Sequence, residues 1–161
     1  MFVVMANCSS SPLKAPWLRE TSWRVCTINP LGRNALKAYV EPFRYGDILG
    51  ITRGGFLMGT YGQEPLLAPF AKVFTALPRR KFTDVPECST ADVKVRRYAE
   101  GGCVWTYAVN AGGETAKVTL PAADSPAVDL ATGETASEWR QCGMTLTLQP
   151  YEFRAFAVQR R

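Results

Sequence analysis

Apolar and polar positions alternate through Leu146-Thr147-Leu148-Gln149, break at Pro150, and alternate again from Tyr151 to Val158. A period of two puts successive side chains on opposite faces of a strand. The run therefore predicts two half-buried strands joined at a tight corner. The same period governs the chain from about residue 90, with strands predicted at 91–98, 102–110, 114–120, 126–131, 135–140, 144–149 and 151–158. Turn residues separate them: Glu100-Gly101-Gly102, Asn110-Ala111-Gly112-Gly113, Pro121 to Pro126, Thr132-Gly133-Glu134 and Cys142-Gly143. Short strands at even spacing predict a mainly β fold, an antiparallel β-sandwich of about seven strands. Cys103, Trp105, Tyr107 and Val109 share one side of their strand. With Val118, Leu120, Met144, Leu146 and Leu148 they are expected to line the interior.

Before residue 83 the period is different. Leu36, Tyr39, Val40 and Phe43 fall at i, i+3, i+4 and i+7, as do Phe70, Val73, Phe74 and Leu77. Each set is one apolar stripe on a helix, so short helices are predicted at 33–44 and 68–77. Pro42 is expected to kink or end the first, Pro69 to sit in the first turn of the second, and Pro78 to stop it. Between them, Gly50, Gly54, Gly55, Gly59 and Gly62 punctuate an apolar segment. Its spacing matches neither phosphate-binding glycine pattern, so close backbone packing is the expected role. Residues 1–30 are irregular, broken by Pro12, Pro16 and Pro30, with a short strand expected at 23–28. Two regions follow: an irregular and helical segment at 1–82 and a sandwich at 83–161.

Composition narrows the chemistry. At 161 residues the chain can bury a real core, but a complete (β/α)8 barrel needs about 200 residues or more. There is no histidine, which removes the usual general base and the commonest metal ligand. Neither a Ser-His-Asp nor a Cys-His mechanism can be assembled from this chain alone. The five cysteines, Cys8, Cys26, Cys88, Cys103 and Cys142, include no C-x-x-C pair and are expected to be mostly free, buried thiols. The net charge of +5 gathers partly at Arg79-Arg80-Lys81, Arg96-Arg97 and Arg160-Arg161. These read as solvated strand edges and loop ends rather than a nucleic-acid surface. Met1 to Ala6 lacks the charged start and the apolar length of a signal peptide, and no stretch approaches the ~20 apolar residues of a membrane span. No cofactor and no metal site is expected.

Several of these runs resemble a known domain type. Ala91 to Arg96, the strand Val104 to Asn110, the hairpin Val128-Asp129-Leu130-Ala131-Thr132-Gly133-Glu134 and the closing Leu146 to Arg154 are similar to the C-terminal β-sandwich of many glycoside hydrolases. Upstream, Gly54 to Gly62 and Phe70 to Pro78 resemble the end of the (β/α)8 catalytic barrel that precedes such a sandwich. The resemblance covers about residues 33–158 and implies a structural accessory portion. The barrel strands that present the two catalytic carboxylates have no counterpart here. No acid/base or nucleophile is therefore carried over.

Candidate chemistry in the residues themselves is sparse. Glycoside hydrolysis needs two carboxyl groups roughly 5–9.5 Å apart, and Glu41, Asp47 and Glu64 lie near the glycine-rich segment. Each reads better as a solvated loop or helix-end charge. Exposed aromatic rings stack on sugars, and Trp105, Tyr107, Trp139 and Tyr151 fall in the sandwich. Trp139 and Tyr151 are the candidate sugar contacts, Trp139 because it sits between Glu138 and Arg140. The expected role is structural packing against a catalytic barrel, without activity of its own. The alternative is a carbohydrate-binding module, and a small carboxylate enzyme is a third reading. An exposed apolar patch at Phe43, Phe56, Phe70 and Phe74 is expected to carry self-association or a barrel partner.

Overall fold

A computed structural model describes residues 32–48, 64–123, 125–136, 139 and 143–159. The expected strand at 23–28, the glycine-rich segment, Phe56, Arg160-Arg161, Cys8, Cys26 and Cys142 lie outside the described residues.

The alternating runs form strands. In chain order they are β1 (Thr83–Asp84), β2 (Val93–Glu100), β3 (Cys103–Asn110), β4 (Ala116–Leu120), β5 (Ala127–Asp129), β6 (Thr135–Ala136), β7 (Met144–Leu148) and β8 (Phe153–Gln159). A six-stranded sheet has the order β1-β2-β3-β8-β5-β6, and β4 pairs with β7 in a second sheet. Every pairing is antiparallel. The fold is mainly β, with two sheets face to face, as the alternation predicts. The Gly101-Gly102 connection takes positive φ at both residues, 58° and 77°, and closes β2 onto β3 with Glu100 opposite Cys103. At the Pro150 corner Tyr151 takes φ 57°, the backbone that position three of a type II turn demands.

The helical stripes form helices at shifted bounds. Residues 32–44 run as a 3-10 segment (Gly32–Leu36), a single α turn, α1 (Lys37–Val40), and a second 3-10 segment (Glu41–Arg44). Helix α2 (Glu64–Ala76) starts four residues earlier than expected, so Pro69 lies inside it. A proline there removes only the N–H that would bond to residue 65, in the second turn.

Two cores flank the large sheet. Val95, Val104, Ala108, Phe156 and Val158 face the small sheet and meet Val118, Leu120, Leu146 and Leu148. On the other face Tyr107, Val109, Phe153 and Ala155 meet Leu36, Val40, Phe43, Val73 and Leu77 from the helical segment. This corrects one expectation. The Trp105-Tyr107-Val109 side of β3 packs under the helices, not between the sheets. β3 is thus apolar on both faces, as a strand covered on both sides must be. Phe43 is 0% exposed, so it belongs to this core and not to an exposed patch. Its ring sits 4.9 Å from that of Phe153 and 5.7 Å from that of Tyr107.

Candidate functional site

The polar groups worth following lie where the helical segment meets the β1–β2 edge. The register sets Asp84 opposite Arg96, and Arg96 opposite Tyr107. Three side chains on three neighbouring strands therefore share the face that meets the helices. Arg96 is buried, and its Nε donates to Asp84 Oδ1 at 2.5 Å. Its Nη1 donates to the carbonyls of Phe43 at 3.0 Å and Gly46 at 2.8 Å, and to the Tyr107 hydroxyl at 3.2 Å. Tyr107 in turn donates to Asp47 Oδ1 at 3.0 Å. Asp47 also accepts from the backbone N–H of Ile48 at 2.6 Å and of Phe82 at 2.8 Å. The network ties the loop after the second 3-10 segment to the sheet.

Burial opposes the Arg96 charge, but Tyr107 and Asp84 outweigh it and hold the guanidinium above its ordinary value. Burial pushes the Tyr107 phenol up, with Asp47 acting the same way, against the opposing pull of Arg96. Tyr107 is a neutral hydrogen-bond relay and not a base. Beside the network an open cleft of about 480 Å³ is lined by Arg44, Tyr45, Asp84, Pro86, Ser89, Thr90, Ala91, Lys94 and Arg96. Arg44 closes one end, donating to the Ala111 carbonyl at 2.8 Å and pairing with Asp92 at 2.8 Å.

The sequence candidates fall elsewhere or are already engaged. Asp47 has three donors on its two oxygens. Such a carboxylate is an anchor, poorly placed to attack or to take a proton. Glu41 lies in the first turn of the second 3-10 segment and does not line the cleft, and Glu64 begins α2. Trp139 is 5% exposed; its ring meets Phe156 edge-on at 5.1 Å and its indole N–H donates to the Pro121 carbonyl at 3.1 Å. Tyr151 is 9% exposed within the core under the helices. Neither ring offers an open face for stacking. The free thiols of Cys88 and Cys103 are pushed up, chiefly by burial. Among the described residues no three acidic or cysteine side chains converge as a metal site.

Sequence reasoning missed Arg96, Asp84 and Tyr45. Arg96 carries a faint signal: it shares the Tyr98 side of β2, in a strand whose other side is Val93 and Val95. Reading it as a surface charge followed from its neighbour Arg97. Tyr45 carries none, since its exposure depends on how the loop lies.

No family model and no curated protein matches this chain. Solved structures do. An α-amylase from Geobacillus thermoleovorans, solved with acarbose, is 16% identical, with TM-score 0.51, over 80% of this chain and 34% of its own. An Anoxybacillus α-amylase is 14% identical, with TM-score 0.50, over 99% of this chain and 46% of its own. The chain spans less than half the length of either. At such identities the likeness is one of fold: β-rich architecture shared with glycoside hydrolases.

Proposed function

We propose that this chain is a non-catalytic accessory portion of a glycoside-hydrolase-like protein, whose role is to pack against a catalytic barrel. Residues 83–161 are the sandwich, and the helical segment before them is the end of the barrel. The observation that carries this reading is the outer side of α2. Pro65, Ala68, Pro69, Ala71, Thr75 and Ala76 are exposed there, and Lys72 is the one charged side chain described on the helix. A helix that ends at solvent normally carries charge on that side. One so short of it is suited to cover by a further apolar layer. Helix α2 already spends Val73 and, in part, Leu66, Leu67, Phe70 and Phe74 on the sheet.

The test is sedimentation velocity over a range of concentrations, beside hydrolysis assays on starch and aryl glycosides. The wild-type chain is expected to self-associate. Ala68→Glu with Ala71→Glu is expected to leave it monomeric with an unchanged melting temperature. Hydrolysis is expected at background. A wild type that stays monomeric at all concentrations removes the docking face. Hydrolysis abolished by Asp47→Asn or Glu64→Gln removes the non-catalytic assignment.

A further inference from the structure

The covering role leaves one feature unused: a tyrosine standing open beside a polar cleft. Tyr45 is 68% exposed, and it is one of the residues that line the cleft described above. The volume of about 480 Å³ lies within the roughly 300–1,000 Å³ of small-molecule sites. The charges lining it are mostly cancelled where they stand. Arg96 is paired to Asp84 and Arg44 to Asp92. Lys94 donates to the Thr90 carbonyl at 2.7 Å. Two of the three lining cations are thus spent on carboxylates, which leaves Lys94 as the one cation there without an ion pair among the described residues; a phosphate or sulfate site gathers several free donors around the anion. What the cleft offers is a flat apolar ring beside fixed donors and acceptors. Asp84, with its side chain 63% exposed, accepts; Lys94 and Arg44 donate. A ligand that presents an apolar face and a rim of hydroxyls together suits such a wall, with one ammonium and one carboxylate as its charged partners.

We propose that the Tyr45 cleft binds a pyranose unit of a neutral oligo- or polysaccharide. The C–H face of the sugar lies on the Tyr45 ring, and its hydroxyls meet Asp84 and Lys94. This goes beyond the covering role and stands on other elements. The described residues that build the cleft come from the end of the second 3-10 segment, β1, the β1–β2 connection and β2, and none comes from α2. Either assignment can therefore fail alone.

Affinity electrophoresis of the full chain through gels containing soluble starch, xylan or hydroxyethylcellulose tests it, with titration by maltoheptaose, xylohexaose and cellohexaose. Retardation by at least one polymer is expected. Tyr45→Ala should weaken binding about tenfold, Tyr45→Trp should restore it, and Lys94→Ala should weaken it. The α2 double variant should bind as wild type does. Inorganic phosphate and sulfate should not compete. Retardation by none of the polymers, retardation unchanged in Tyr45→Ala, or displacement by phosphate overturns the assignment. Circular dichroism of each variant confirms that it is folded.

Discussion

At Arg96 a buried cation is held by four acceptors drawn from three parts of the chain. Removing it strands the Phe43 and Gly46 carbonyls, each costing about 1–3 kcal/mol when left unmet. Arg96→Met is therefore expected to cost about 3 kcal/mol in urea unfolding. Asp84→Ala removes a carboxylate that is itself 63% exposed and leaves the buried guanidinium its three other acceptors, so it should cost less, about 1–2 kcal/mol. If both variants cost the same, the ion pair and not the carbonyl contacts holds the loop. Tyr107 gives a pH signature. Its phenol is raised in the folded chain, first by burial. Above about pH 10 the unfolded chain releases a proton that the folded chain keeps, so stability falls as pH rises. The advantage of wild type over Tyr107→Phe in urea unfolding should shrink from about pH 10 upward. An advantage that stays flat to pH 11 contradicts the buried relay.

Among the elements, the small sheet depends on one glycine. Gly143 precedes β7 with φ +87°, and a Cβ built there would lie 2.3 Å from the Leu120 carbonyl oxygen. That contact is with backbone of the paired strand, where Leu120 meets Met144. Relief needs the β4–β7 pairing to shift. Gly143→Ala is expected to cost about 2 kcal/mol or more, through strain at the turn and loss of fit. Hydrogen exchange should show protection falling first in β4 and β7. Loss of protection spread evenly over all strands would place the damage elsewhere. The strands themselves were largely legible. All seven predicted runs contain strand, because half-buried pleats impose a period of two. Their ends moved by one or two residues, except that the run expected at 135–140 is strand at Thr135–Ala136, with 137, 138 and 140 outside the described residues. The two-residue β1 has too few positions to show a period. Trp139 falls in the run expected as strand at 135–140; it is not strand, and its ring is buried in the core between the sheets.

For the whole molecule, a shared central sheet means shared stability. β3 and β8 supply side chains to both cores. Phe43→Ala lies in the core under the helices and Leu148→Ala in the core between the sheets. Each is expected to cost about 2–5 kcal/mol. Both should lower one common calorimetric transition, because neither core survives loss of the sheet. Two transitions, with Phe43→Ala moving only one, would show that the helical segment and the sandwich fold separately.

The order of strands and helices, the turns between them and the lack of histidine chemistry follow from the chain alone. They depend on neighbours two to four residues apart, whose pattern is written locally. What covers each face of β3 does not. Val104 and Ala108 on one side, Tyr107 and Val109 on the other, are equally apolar, and the layers that cover them come from residues as far apart as Leu36 and Leu148. Only the tertiary structure assigns the aromatic side to the helices, buries Arg96 beneath a loop, sinks Trp139 and Tyr151, and leaves Tyr45 open beside a cleft. Exposure is a property of what comes to lie against a residue, and here that neighbour is distant in the chain.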